Sequence, residues 1–271
     1  VRSFKKIGKI LIKMEISAPI IHSIDEDNGF LLLEDLGDEK FSIILNKKNE
    51  KELYQSAVSV LAHIYLKSNE KEFDLEDISY YSLNHLIEEA NLFCDWFLEK
   101  HCQLRIKSKD KLEYEEILKR IYKKIEFNFY SLVLRDYHVD NLILLKDRKG
   151  INQVGVIDFQ DAVVGSNVYD LVSLLEDVRR PIGTELKNKL TEKYIDITKY
   201  DSEKLLNEMR FFSVQRNLKI IGIFSRLKYR DQKPQYMKLV NNAWSFIDCH
   251  LEDSSFLELK LWISKYKNKF L

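Results

Sequence analysis

The sequence predicts an α+β fold in which a few short strands accompany a large, mainly helical body. Of its 271 residues only 8 are glycine and 3 are proline, too few for the many tight turns of an all-β sandwich or barrel. Apolar residues recur at helical spacing along most of the chain, whereas strand-length apolar runs occur only near the N-terminus and in the middle. Hydrophobic residues make up 45% and charged residues 32% of the chain, as is typical of a folded globular protein.

The N-terminal segment predicts a helix followed by a hairpin. Apolar residues from Phe4 to Met14 have helical spacing, and Pro19 ends that segment. The apolar runs 19–24 and 30–33 flank an Asp-Asn-Gly turn at 27–29. This pattern is typical of a β-hairpin.

More helices and a second group of strands follow. Helical spacing predicts helices over about 50–67, 84–101 and 112–127. Short apolar runs predict strands over 131–134, 142–145 and 154–157. After Asp170 the pattern is helical to the end of the chain, with amphipathic stretches over about 170–178, 184–196, 202–228, 235–250 and 255–269.

Charge and cysteine content exclude several classes of protein. Lys and Arg total 43, and so do Asp and Glu, which leaves no net charge to favour nucleic acid or an anionic membrane. Cys94, Cys102 and Cys249 have no CxxC spacing, which disfavours a disulfide framework or a zinc cluster. No apolar run approaches the ~20 residues of a membrane helix, and the start has no signal-peptide pattern. We therefore expect a cytoplasmic protein with no nucleic-acid or membrane partner.

Two neighbouring segments bring together residues suited to chemistry. Residues 135–141 read RDYHVDN, and 157–162 read IDFQDA. The midpoint between Asn141 and Asp158 falls in a polar turn that ends at Gly150, so a hairpin would place the two side chains opposite each other at its open end. Asp136 lies on the loop that enters this hairpin.

Oxygen ligands of this kind suit Mg²⁺, which takes one or two carboxylates and fills its other positions with phosphate and water. A separate carboxylate nearby can accept the proton of an attacking hydroxyl. The spacing Asp-x-x-x-x-Asn followed by Asp-Phe is that of the catalytic loop and metal motif of kinases. Asp136, Asn141 and Asp158 could instead be ordinary turn residues, and Asp170 a simple helix N-cap.

These motifs, followed by YDLVSL at 169–174, resemble the aminoglycoside phosphotransferase-like kinase superfamily. Within it they are most similar to the bacterial branch of N-acetylmuramate/N-acetylglucosamine anomeric kinases of cell-wall recycling. The segments GFLLLEDLG at 29–37 and QRNLKIIGIF at 215–224 agree with that branch. The resemblance covers nearly the whole chain. It implies a protein-kinase-like fold with an incomplete N-terminal β lobe and a large, mainly helical C-terminal lobe.

The resemblance also implies roles for single residues. Asp136 would be the catalytic base, Asn141 and Asp158 would hold Mg²⁺, and Asp170 would brace the catalytic loop. The supporting and ligand-contacting residues implied are Leu33, Glu34, Asp35 and Leu36 as the hinge that binds the adenine of ATP, Arg135 and His138 in the catalytic loop, and Gln160 and Asp161 within reach of the substrate. A histidine such as His138 is more often a hydrogen-bonded structural residue than a catalyst.

The expected activity is ATP-dependent phosphoryl transfer to a hydroxyl of a small molecule, such as N-acetylmuramate or N-acetylglucosamine. In the family a phosphate-covering loop and strands precede the first long lobe helix, which begins here near Phe4, and the eight glycines form no Gly-rich loop. We therefore expect an N-terminally truncated chain with a remnant nucleotide lobe and hinge over 1–40 and a helical lobe over 41–271. The alternatives are an inactive remnant, a split kinase whose missing strands come from a separate chain, and an aminoglycoside-modifying phosphotransferase.

Overall fold

The computed structural model, which describes residues 1–127 and 130–267, confirms a mainly helical chain with short strands. The α-helices of the described residues are α1 Arg2–Lys13, α2 Phe41–Ile44, α3 Glu50–Ser68, α4 Leu83–Leu92, α5 Ser108–Lys123, α6 Val168–Leu175, α7 Thr184–Thr198, α8 Ser202–Tyr229, α9 Val240–Leu251 and α10 Leu257–Lys267. The strands are β1 Ile21–Asp25, β2 Phe30–Leu33, β3 Ser131–Val133, β4 Leu142–Leu144, β5 Val154–Val156 and β6 Val163–Gly165. Residues 268–269 of the helix predicted over 255–269 lie outside the described residues.

The chain divides into two units of non-contiguous segments, of which residues 128–129 and 268–271 lie outside the described part. The first comprises Val1–Tyr80, Asn128–Asp177 and Ile182–Ser202, and the second comprises Tyr81–Phe127, Val178–Pro181 and Glu203–Leu271. The division expected after residue 40 runs through the interior of the first unit. Within this unit the Leu144 amide donates to the Glu39 carbonyl at 2.9 Å, which attaches the segment before α2 to β4.

Helix α1 covers the aromatic residue of the second motif. Its buried face consists of Ile7, Gly8 and Leu11. The ring of Phe4 stacks on that of Phe159 with centroids 4.7 Å apart. Phe159, the residue next to Asp158, is fully buried, and its ring packs against this helix.

The predicted N-terminal hairpin is confirmed as the antiparallel pair β1–β2. Its turn is closed by Asp25, whose Oδ1 accepts the Asn28 amide at 3.0 Å. Gly29 follows with φ +78°, a conformation that glycine adopts without steric cost. Phe30 and Leu32 on β2 are 70% and 62% exposed.

A second hairpin, β4–β5, carries the motif residues at its open end. Leu142 pairs with Val156 and Leu144 with Val154. Both edges are bordered by other segments: Ser17 bridges to Gly155, and Lys40 bridges to Ile143. The hairpin is therefore the centre of a small four-segment layer, within which its open end cannot shift freely.

Strand β3 pairs with β6, which the sequence analysis missed. Beside these strands lies α3, whose buried residues include Leu53, Ala57 and Leu61, and every residue of α6 is buried. The Tyr137 hydroxyl donates to the Ala57 carbonyl of α3 at 2.9 Å and so ties the loop 134–141 to this helix. Burial and the nearby charge of Asp170 raise the pKa of Tyr137 well above its ordinary value.

The second unit is built from α4, α5, α8, α9 and α10. The single helix predicted over 84–101 is α4 continued by a π-helix, Phe93–His101. Ser82 caps α4 by accepting the His85 amide at 3.3 Å. None of the described helices combines the length and the hydrophobicity needed to cross a membrane.

Gly222 of α8 lies where α4 passes closest to it, and we expect Gly222→Ala to destabilise the protein. A Cβ there would overlap the backbone carbonyl group of Leu92 and lie 2.6 Å from its Cβ. Backbone cannot move aside as a side-chain end can, so the loss should reach about 2 kcal/mol or more in urea unfolding. Gly183→Ala is the control, since no atom lies within 4 Å of that position. Equal stability of the two variants would contradict the prediction.

Candidate active site

The start of the loop 134–141 is attached to α6 through one buried carboxylate. Asp170 is 0% exposed. Its Oδ2 accepts the Leu134 amide at 2.6 Å, and its Oδ1 accepts the Arg135 amide at 2.8 Å. Asp170 is the third residue of α6, whose N-cap is Asn167. Its carboxylate therefore accepts hydrogen bonds from the loop and is not the N-cap of its own helix.

Removing this carboxylate should destabilise the first unit. In Asp170→Ala two backbone donors lose their acceptor, and each buried donor left unpaired costs about 1–3 kcal/mol. We expect a loss of roughly 2–5 kcal/mol in urea unfolding. Asp170→Asn should lose less, because its amide oxygen still accepts one of the two bonds. A loss below about 1 kcal/mol in the alanine variant would show that Asp170 does not hold the loop.

Asp136 and Asn141 are linked through the main chain. The Asp136 side chain is exposed, and its amide donates to the Leu134 carbonyl at 2.9 Å. The Asn141 Nδ2 donates to the Asp136 carbonyl at 2.9 Å. The Asn141 amide is thereby fixed through its nitrogen, which leaves its oxygen available as a ligand atom.

Asp158 completes the group at the open end of the β4–β5 hairpin. The Asn141 Nδ2 lies 3.5 Å from its Oδ2, and the Gln160 Nε2 donates to its Oδ1 at 2.8 Å. Arg135 and Asp158 both have left-handed backbones, with φ +70° and +60°. Such conformations cost about 1–3 kcal/mol outside glycine and cluster at functional sites.

The donor set fits a hard divalent cation that keeps water and phosphate ligands. An exposed carboxylate from Asp158 and an amide oxygen from Asn141 come from the two chain segments at the open end of one hairpin. Residues 1–127 and 130–267 contain no cluster of three or more His, Cys, Asp or Glu side chains that could enclose a metal. A site with so few protein ligands matches the coordination habit of Mg²⁺ better than that of zinc.

The segment proposed as the hinge lies against the same hairpin. The Glu34 amide donates to the Ile20 carbonyl at 2.8 Å. Asp35 is exposed, and its Oδ1 accepts the Gly37 amide at 2.8 Å in a turn with φ +78° at the glycine. Leu36 is buried against Ile143 and Leu145. The Glu34 N–H is therefore already used, and a ligand would have to bond to other backbone groups of the segment.

The remaining predicted residues lie around this group. His138 is buried, Arg135 is half-buried and Asp161 is exposed. Leu33 is the last residue of β2 and is half-buried. The structure thus brings Asp136, Asn141, Asp158 and Gln160 together. The segment Leu33–Leu36 contacts the β4–β5 hairpin through the packing of Leu36.

Sequence reasoning missed two residues that contact the segments around the site. Arg148, in the β4–β5 turn, donates from Nη2 to the Glu34 Oε1 at 2.5 Å. Phe4 carries the ring that stacks on Phe159. Arg148 lies in a polar turn and Phe4 in an amphipathic helix, so no local pattern indicates either contact.

Comparison with known proteins gives a consistent result. The model of the phosphotransferase enzyme family matches residues 1–206. The chain is 31% identical over 256 residues to an N-acetylmuramate/N-acetylglucosamine kinase of Caulobacter vibrioides, covering 93% of this chain and 70% of that protein. A kinase of the same name from Pseudomonas aeruginosa is 29% identical over 255 residues, covering 91% of this chain and 72% of that protein.

Solved structures resemble the fold at lower identity. Choline kinase LicA from Streptococcus pneumoniae superimposes with a TM-score of 0.64 at 12% identity, covering 92% of this chain and 80% of that one. An ADP-bound aminoglycoside phosphotransferase gives a TM-score of 0.57 at 18% identity, covering 90% and 81%. These likenesses confirm the kinase-like fold predicted from the sequence. The match over residues 1–206, more than half of the chain, shows that the protein belongs to the phosphotransferase enzyme family.

Proposed function

We propose that this chain transfers the γ-phosphoryl group of ATP to a hydroxyl of an amino sugar such as N-acetylmuramate or N-acetylglucosamine. The observation that carries the proposal is the convergence of Asp136, Asn141 and Asp158 at one end of the β4–β5 hairpin. Relatives of about 30% identity named for these two sugars support this acceptor class. The aminoglycoside phosphotransferase likeness, at 18% identity, supports the fold alone.

Asp136 would accept the proton of the acceptor hydroxyl. The hydroxyl oxygen forms the new bond to the γ-phosphorus as the bond to the bridging oxygen breaks, and ADP leaves. The exposed carboxylate suits this role, because its own backbone is fixed by the Leu134 and Asn141 contacts. Positioning of the hydroxyl supplies a large part of the rate in such reactions.

Asn141 and Asp158 would hold Mg²⁺, which in this chemistry neutralises the charge developing on the phosphates. Gln160 would orient the Asp158 carboxylate through the 2.8 Å hydrogen bond to Oδ1. This contact favours a role on the metal side of the site over the substrate contact expected from the sequence. Asp161, exposed and three residues beyond Asp158, remains the candidate for hydrogen bonding to the acceptor.

The segment from Leu33 to Leu36 would bind adenine. Because the Glu34 amide is already paired with Ile20, the Glu34 carbonyl and the backbone of Leu36 would make the hydrogen bonds. Residues 1–40 would then form the nucleotide side, and 41–271 the catalytic and acceptor side. Arg135 and His138 would support the catalytic loop together with Asp170. We place the reaction in the cytoplasm, where ATP is available.

The β1–β2 hairpin would be extended by further strands that complete the nucleotide lobe. Phe30 and Leu32 expose large apolar side chains on β2, and an isolated two-stranded hairpin is only marginally stable in water. A separate chain that supplies these strands would make this protein one part of a split kinase. Absence of nucleotide binding by the folded 271-residue chain would favour that arrangement or an inactive remnant.

An acceptor assay tests the proposed activity. The chain is incubated with Mg·ATP and either N-acetylmuramate, N-acetylglucosamine or an aminoglycoside, and phosphorylated products are identified by ³¹P NMR. We expect a new sugar phosphate with at least one of the two amino sugars and none with the aminoglycoside. Phosphorylation of the aminoglycoside alone would replace the proposal by antibiotic modification.

A further inference from the structure

One ion pair links the hinge segment to the turn of the metal-binding hairpin. The Arg148 Nη2 donates to the Glu34 Oε1 at 2.5 Å, while the Glu34 Oε2 accepts the Ile20 amide at 3.2 Å. Both Glu34 oxygens are therefore engaged, one by β4–β5 and one by the residue that precedes β1.

The pair differs from an ordinary surface ion pair in its burial. The side chains of Arg148 and Glu34 are 28% and 21% exposed. Those of Lys189 and Glu185, a pair on one face of α7, are 54% and 84% exposed. Exposed pairs contribute little because water and salt screen them, whereas partial burial strengthens the attraction.

Because of the position of Arg148, the contact connects the hinge segment to the hairpin that carries Asn141 and Asp158. Arg148 stands in the closed end of the β4–β5 hairpin, and Asn141 and Asp158 stand at its open end. The strands between them are three residues long, a span of about 10 Å. A hinge segment bound to Arg148 at the closed end is therefore kept at a fixed distance from Asn141 and Asp158 at the open end.

We propose that Arg148 is a positioning residue for nucleotide binding, which grips Glu34 and so sets the hinge segment 34–36 relative to Asn141 and Asp158. This inference rests on the proposed function, since it assumes that adenine binds at the hinge and the phosphates at the metal pair. Leu36 packing on Ile143 and Leu145, and the Glu39–Leu144 hydrogen bond, fasten the later part of the same segment. The ion pair with Arg148 thus holds the first part of the hinge segment.

The first measurement follows amide exchange in the absence of nucleotide. In Arg148→Met the Glu34 amide, which donates to Ile20, should exchange about 3- to 30-fold faster, the range expected for loss of a coupled contact. Arg148→Lys keeps the charge but loses the planar fork, so its effect should be smaller. Lys189→Met removes the exposed pair on α7 and should leave the Glu34 amide unchanged.

The second measurement is calorimetric titration of the same variants with Mg·ATP. Arg148→Met should raise the Kd by about 3- to 30-fold, with Arg148→Lys between it and the wild type. In turnover assays the KM for ATP should rise while kcat changes less than threefold, because the catalytic loop itself is untouched. A merely structural role would lower stability without separating KM from kcat.

The outcomes distinguish this inference from the proposed function. Nucleotide binding of equal strength in wild type and Arg148→Met, or an unchanged Glu34 exchange rate, would overturn the role of Arg148 alone. A wild-type chain that binds no nucleotide would overturn the nucleotide site, while the exchange data would still decide whether Arg148 holds the hinge.

Discussion

Turnover of Asp136→Asn is expected to fall by about 10²- to 10⁴-fold, the contribution typical of a positioned general base. Asparagine cannot accept the hydroxyl proton, so only the base function is lost. The hydrogen bond from Asn141 goes to the main-chain carbonyl of residue 136 and not to its side chain. The metal side of the site should therefore keep its geometry, and the Kd for Mg·ATP should stay within threefold of the wild type.

Single-turnover formation of sugar phosphate and calorimetric nucleotide titration test this expectation together. Asp147→Asn, which removes an exposed carboxylate from the β4–β5 turn, is the matched control and should keep full turnover. A decrease of less than tenfold in Asp136→Asn would remove Asp136 from the role of base.

Nucleotide binding that depends on Mg²⁺ should be lost in Asp158→Asn. Loss of an outer ligand already weakens metal sites 10- to 100-fold, so loss of a direct carboxylate should weaken binding by at least about 100-fold. Asparagine is tolerated in left-handed backbone far better than other substituents, and Asp158 has φ +60°. The substitution therefore removes charge without adding backbone strain, and the thermal unfolding midpoint should change little.

Calorimetric titration with ATP in the presence of Mg²⁺ and of EDTA measures this effect. Asp161→Asn removes a nearby exposed carboxylate and should leave the Kd unchanged. Equal Mg·ATP affinity in Asp158→Asn and wild type would show that Asp158 does not hold the metal.

Local patterns predicted most elements of this fold, because each short strand and helix has its own apolar spacing. The central turn predicts the β4–β5 hairpin but not its register: Leu142 pairs with Val156, so Asn141 lies opposite Ile157, one residue before the partner Asp158 that the midpoint predicted. Strand β6, Val163–Gly165, escaped prediction although it is as long as β3, β4 and β5. The π-helix after α4 has the same apolar content as an α-helix, so spacing cannot distinguish the two.

Contacts between distant segments were beyond the reach of sequence spacing. The two N–H groups that Asp170 accepts lie 35 and 36 residues earlier in the chain. An aspartate near a helix start is a common N-cap, so the sequence alone left both interpretations open. The Arg148–Glu34 pair spans 114 residues and joins two side chains that would each suit a solvated surface.

The stacking of Phe4 on Phe159 has a thermodynamic consequence. Phe159 follows Asp158 directly, so we expect a ligand that orders the backbone at Asp158 to steady α1 through this ring. Linkage is reciprocal: the free energy by which such a ligand stabilises α1 equals the free energy by which a stabilised α1 strengthens the binding of that ligand. An antibody fragment or a substitution that only stabilises the first helix would therefore tune affinity at a site it never touches.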